Sequence, residues 1–298
     1  MGLGHALARN NIKFDKKKQD KAIINSFALL EQMEKNLNTF CMRIKEGYSW
    51  HFPELSKIVT NNETFAKLVQ LIGNKANLKS VDTSKITAIV GNEEITQAIL
   101  ERVETSVGNE LIEIDEKQLK DFADYVVHHY EYKRELQNYL KEEMEKIAPN
   151  LSKLLGESIG ARLMSQAGGL KNLATLPSST IQILGAEKAL FRAIRKRGQT
   201  PKYGLLYNSS YIQKAKTSAK GKVSRMLANK CGIAARLDYF SLKPSSKFGE
   251  HFKYKIEEKM QNPDNNQLGK KNIEEMEKLV DEMQENGEYL FEKGIKNN

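Results

Sequence analysis

Cysteine is nearly absent. Cys41 and Cys231 stand far apart, and neither sits in a CxxC pair or beside a Cys/His cluster. That spacing excludes a disulfide framework or a zinc knuckle and fits a reducing intracellular compartment. Six prolines and nineteen glycines in 298 residues are too few turn-formers for a loop-rich all-β fold and favour helices. No apolar run reaches the ~18 residues of a membrane span, and the start has no signal-peptide texture. Ala6 occupies the position where myristoylation calls for Ser or Thr, and Gly2 and Gly4 follow no strand that would make them a dinucleotide fingerprint. G-x-S-x-G, Walker A and H-E-x-x-H patterns are all missing. Of the five histidines only His128 and His129 are close in sequence, and adjacent helical residues point to different faces. No metal, no cofactor and no intrinsic catalysis are expected.

Acid is the absence that says most. From Lys188 to Leu237 there is no Asp or Glu, against thirteen Lys and Arg. The whole chain carries a formal charge of +9, and outside that window 34 bases face 38 acids. One segment makes the protein basic. Ordinary solvated surfaces intersperse both signs, so an acid-free stretch of fifty residues reads as a polyanion-binding face. Tyr203, Tyr207 and Tyr211 lie among these bases, and aromatics beside cations suit phosphate contact combined with base stacking.

The rest of the chain is patterned for helix. From Asp15 to Tyr48 a seam runs through Ile23, Phe27, Leu30, Glu34, Leu37, Cys41, Ile44 and Tyr48. From Ile114 to Ile147 a second seam runs through Leu119, Phe122, Val126, His129, Lys133, Leu136, Leu140, Glu143 and Ile147. Alternating steps of three and four place such residues on one side of a helix. Val127, Tyr130, Tyr139 and Met144 widen the second seam where polar residues interrupt it. The two equal segments predict an antiparallel hairpin over residues 1–148, with shorter helices in a tip insert (49–113) that also offers a dimer contact. These short helices are predicted from Pro53 to about Thr60, Glu63 to Ile72 and Glu93 to about Val107. Pro149 ends the hairpin. A compact helical domain (149–262) follows, with helices near 185–197, 222–237 and 249–260, then a charged tail (263–298). Phe191 reads as a core residue and Leu176–Ser179 as a turn. The fold class is all-α.

Three runs within that second domain, Gly160–Leu170 (GARLMSQAGGL), Leu176–Arg192 (LPSSTIQILGAEKALFR) and Leu227–Arg236 (LANKCGIAAR), resemble the Nop domain family. Asn38–Arg43 and Trp50–Leu55 (WHFPEL) match its helical region, so the resemblance covers residues 1–260. The branch it resembles is that of the eukaryotic nucleolar protein fifty-six, a core subunit of box C/D small nucleolar ribonucleoproteins. The run Gly185–Arg192 favours that branch over a spliceosomal tri-snRNP relative. A coiled-coil protein that binds partners through its seams alone is the alternative outside the family.

The resemblance implies a non-catalytic scaffold of the nucleolus that supports guide-directed rRNA 2′-O-methylation and ribosome biogenesis. Its implied partners are a box C/D kink-turn RNA, the primary protein bound to that RNA, and a Nop-family paralogue along the coiled coil. The resemblance also implies fibrillarin as the methyltransferase, docked through an N-terminal module that these residues are not expected to include. Carried over by position, Gly169, Leu170, Lys171 and Asn172 form a turn facing RNA and partner. Ser179, Thr180 and Gln182 offer hydrogen bonds. Gly185, Ala186, Glu187 and Lys188 open a helix extended by Arg192 and Arg195, and Lys202 approaches the RNA from a P-x-x-G turn.

Overall fold

A computed structural model describes residues 20–75, 77, 82–241, 244–261 and 276–282. Among these residues the regular structure is helical, as the composition predicts. The chain divides by internal contacts into two units, one made of Leu29–Asn138 and the other of residues 20–28 with residue 139 onward. The cuts fall inside the two long helices, α1 (Asp20–Ser49) and α6 (Glu113–Ile147).

In the Leu29–Asn138 unit the two long helices run antiparallel. Leu30 and Met33 meet Leu136, Cys41 Sγ lies 3.7 Å from Tyr130 Oη, and Phe40 meets Phe122 edge-on at 5.5 Å. Two of the charged breaks in the predicted seams answer each other: Lys133 Nζ lies 3.0 Å from Glu34 Oε1. Four short helices cover the far end: α2 (Pro53–Ile58), α3 (Asn62–Ile72), α4 (Thr83–Val90) and α5 (Glu93–Thr105). Asn61 and Asn92 start α3 and α5 by accepting the N–H two residues on, at 3.1 and 3.0 Å, which satisfies one orphan donor of each helix. Helix α4 escapes sequence reading because Thr-Ser-Lys-Ile-Thr-Ala-Ile-Val is short and β-branched. Cys41 is buried, and burial pushes its thiol pKa up.

His51 holds this end together. Its ring is 1% exposed, with Nδ1 2.7 Å from the Asn109 carbonyl and Nε2 accepting the Lys75 N–H at 2.8 Å. Nδ1 therefore carries the proton and the ring is neutral. Burial first lowers its pKa, opposed by the Asn109 hydrogen bond and by Glu116 and Glu110, and aided by Lys75. An unfolded chain takes up this proton before the native one does. Stability supplied by His51 is thus present above the ordinary histidine pKa of ~6.5 and is lost as pH falls from there through the depressed native value. Thermal melts between pH 7.5 and 5 should show that acid slope in the wild type and a shallower one in His51→Gln.

In the other unit, Ile23 and Phe27 of α1 and Leu140 and Met144 of α6 join one core with the helices that follow, α11 excepted. These are α7 (Pro149–Leu155), α8 (Glu157–Ala167), α9 (Leu170–Thr175), α10 (Ser178–Ile183), α11 (Glu187–Arg195), α12 (Ser210–Lys214), α13 (Lys220–Phe240) and α14 (Lys247–Gln261). Helix α13 is central, packing against α7, α9, α10 and α14. Its inward residues include the predicted Val223, Leu227, Cys231 and Ala234, with Ala228 and Ala235 besides. Small side chains on one helix let several neighbours approach it. Met276, Leu279 and Val280 of the predicted tail also pack against this core. Two expectations need correction. Ser178 and Ser179 begin α10 instead of a turn, and Tyr139 is 43% exposed instead of widening the seam.

Candidate nucleic-acid interface

The acid-free segment builds its surface from α11, the 196–209 connection and the start of α13, against α10 just before it. Helix α10 ends at Ile183, and Gly185 turns the chain with φ of 87°, a left-handed conformation natural to glycine. A side chain there would also strike Leu205. Glu187 closes the turn by accepting the Gly185 N–H at 2.8 Å. The connection lies against this turn: the Gly204 N–H donates to the Gln182 carbonyl at 2.9 Å and the Leu205 N–H to the Leu184 carbonyl at 2.8 Å. The Gln182 amide reaches back to the Lys202 carbonyl at 2.6 Å. Gln182 thus positions Lys202, whose stem lies over Gly221 at the start of α13.

Beside this point Tyr203 and Tyr207 stack with ring centres 5.0 Å apart and planes 18° apart, and the Lys220 ammonium sits 5.0 Å over Tyr207. The hydrogen bonds and packing thus bring Lys202, Lys220 and a flat aromatic pair together beside the Gly185–Lys188 turn. A cation over a π face is worth ~0.5–1 kcal/mol at exposed sites.

Helix α11 is unusual in burying none of its residues. Lys188, Arg192 and Arg195 recur at helical spacing on one exposed side, while Phe191 (60%) and Ile194 (57%) are exposed beside them. Phe191 is therefore not the core residue its chemistry predicts. Among the described residues, eleven bases from Lys188 to Arg225 make no ion pair. The other two of the thirteen have internal roles: Lys230 lies 4.7 Å over the Phe252 ring, and Arg236 donates to the Ala174 carbonyl at 2.9 Å. The family model described as "Nop: snoRNA binding domain, fibrillarin" matches residues 29–262.

The chain belongs to the Nop family.

Nucleolar protein 56 of Schizosaccharomyces pombe is 47% identical over 261 residues, 87% of this chain and 52% of the relative. The Saccharomyces cerevisiae protein of the same name is 48% identical over 262 residues, 88% and 52%. The Mus musculus one is 44% identical over 285 residues, 96% and 49%. The chain spans about half the length of these curated relatives. A solved chain from a fibrillarin/Nop5p complex aligns over 86% of this chain and 73% of its own, at 20% identity and a TM-score of 0.48.

Within this Nop match the fourteen residues singled out from the sequence fall into two neighbourhoods. Gln182, Gly185, Ala186, Glu187, Lys188, Arg192, Arg195 and Lys202 belong to the surface just described, and Ser179 and Thr180 are exposed on adjoining α10. Gly169, Leu170, Lys171 and Asn172 close the junction of α8 and α9 instead. Gly169 has φ of 135°, a side chain on it would meet the Asp20 carboxylate, and that carboxylate accepts the Leu170 N–H at 2.9 Å. Leu170 is 1% exposed, so it packs inward. Asn172 caps α8, its amide donating to the Ala167 and Gly168 carbonyls at 3.1 and 3.3 Å. Lys171 keeps a half-buried side chain.

Sequence reading missed the tyrosine pair and Lys220 as one assembly. The i, i+4 spacing of Tyr203 and Tyr207 was visible, but the short 3₁₀ turn at Leu205–Asn208 that stacks them was not. Tyr211, grouped with them by proximity, is buried.

Proposed function

We propose that the chain is a non-catalytic scaffold subunit of a box C/D small nucleolar ribonucleoprotein in the nucleolus. It reads a kink-turn RNA jointly with the protein already bound there, and so supports guide-directed rRNA 2′-O-methylation by fibrillarin and ribosome biogenesis. The hairpin pairs with a Nop-family paralogue. The observation that carries this reading is the surface around α11, where unneutralised bases stand beside exposed Phe191 and Ile194. Phosphates meet the bases, the Tyr203–Tyr207 platform meets an unpaired base, and the apolar side of α11 meets the partner protein. Charged hydrogen bonds strengthen when both surfaces exclude water together, which makes recognition composite. Family membership and the name shared by relatives of which the chain spans about half support the assignment.

Gel shifts with a kink-turn RNA, its primary protein and this chain test it. Stable retention is expected only with all three, and it should fall steeply between 50 and 200 mM salt as phosphate counterions return. Lys202→Ala should weaken the ternary complex by ~1–3 kcal/mol, the range for a charged hydrogen bond. A salt-independent complex would leave only the coiled-coil reading.

A further inference from the structure

The far end of the Leu29–Asn138 unit carries an open groove of about 640 Å³, lined by Trp50, Phe122, Leu119, Ile112, Glu110 and Asp115 among others. Trp50 is 75% exposed and Ile112 66%, large apolar areas to leave in water. The frame beneath them is fixed by hydrogen bonds. The Asn109 N–H donates to the Trp50 carbonyl at 3.0 Å, the His51 ring donates to the Asn109 carbonyl, and the Lys75 ammonium donates to the Gly108 carbonyl at 2.5 Å. A preformed groove spares a ligand the cost of ordering it.

The charge of the groove selects its occupant. No Lys or Arg lines it, while Glu110 and Asp115 do, both exposed and both without an ion pair among the described residues. His51, neutral in its buried setting, adds no cation. We propose that this groove docks a basic segment of a partner protein, which lays an arginine across Trp50 and pairs its guanidinium with Glu110 and Asp115. Three features favour that partner. Tryptophan gives the strongest cation–π face of the aromatic side chains. An arginine stem covers apolar surface while its head reaches carboxylates. A two-fold contact centred on the groove would oppose four carboxylates, and RNA phosphates meet the same repulsion. This surface lies outside the acid-free segment, so the inference stands or falls apart from the RNA-binding reading.

Trp50 is the single tryptophan of the chain, so its emission reports on the groove alone. The full chain would be titrated at low salt with the blocked peptide Ac-Leu-Arg-Leu-Arg-NH₂, then with Ac-Leu-Glu-Leu-Glu-NH₂. A saturable change with the arginine peptide only is expected. Its apparent Kd should rise at least ~10-fold in Glu110→Gln/Asp115→Asn, the fold-change that ~1.4 kcal/mol of lost pairing produces, with circular dichroism unchanged. No saturable response to the arginine peptide, an equal response to both peptides, or an unaltered Kd in the double variant would each overturn the proposal. So would an emission change that follows protein concentration without peptide, which would assign the groove to a second copy. The comparison of the two peptides needs no variant.

Discussion

Asp238→Ala should remove about 3–5 kcal/mol of stability, the loss expected when a buried carboxylate leaves several donors without a partner. Helix α7 begins with Pro149, which has no N–H, and the residue before it, Ala148, has no capping side chain. The N–H groups of Asn150 and Leu151 both reach Asp238, at 3.1 and 2.9 Å, and the Asn150 amide adds a third bond at 2.8 Å. Asp238 thus acts as the N-cap of a helix 88 residues away, its charge also favoured by the helix dipole. Asn150 then accepts the Gly249 N–H at 2.8 Å, which extends the lock from α13 through α7 to α14. All three groups are buried, so water cannot replace the lost acceptor without opening the core. Domains are stable by only ~5–15 kcal/mol, and a fall in Tm on the order of 10 °C should accompany the loss. Asp238→Asn should recover part of it, since one acceptor oxygen survives while an NH₂ replaces the other. Denaturant melts showing less than ~1 kcal/mol of loss for the alanine variant would remove Asp238 from this role.

This lock marks the limit of what the sequence discloses. The long helices were legible because a seam of threes and fours persists over many turns. Even its polar breaks, Glu34 and Lys133, carried information, since opposite charges at facing positions can neutralise each other. Helices α7, α9, α10 and α12 have five to seven residues, too few for a period to show. Their ends are satisfied by distant groups such as Asp238 and Asp20, which no local pattern reveals. The division of the contacts inside α1 and α6 was hidden for the same reason, because a continuous seam crosses both cuts. The acid-free window proclaimed the site's charge, but not which bases meet. That depends on Gln182 holding Lys202 and on a 3₁₀ turn stacking two tyrosines. Phe191 shows the opposite failure: an apolar residue at helical spacing reads as core, yet α11 turns it to solvent. Composition tells what a residue prefers, and an unmet preference on an exposed helix marks a surface built for contact.

Arg192→Ala/Arg195→Ala/Lys202→Ala should weaken the ternary RNA complex about 100- to 1000-fold, or roughly 3–4 kcal/mol when each base contributes about 1 kcal/mol, the typical net worth of a hydrogen bond. The slope of log K against log salt should flatten by roughly 2–3, since each phosphate contact contributes about 0.7–0.9. Folding is expected to survive. The three side chains are exposed, α11 buries no residue, and none of the three makes an ion pair among the described residues. Stability should therefore stay within ~0.5 kcal/mol of the wild type. Phe191→Ala/Ile194→Ala provides the complementary measurement on the same helix. It removes apolar contact and leaves every base in place, so the weak binding to RNA alone at low salt should hold while the gain from the primary protein shrinks. Equal losses in both modes would mean that α11 serves RNA only. An unchanged affinity in the triple-alanine variant would move the RNA path away from α11 and Lys202 altogether. The two variants thus separate the charged and apolar halves of one exposed helix, and composite recognition requires both.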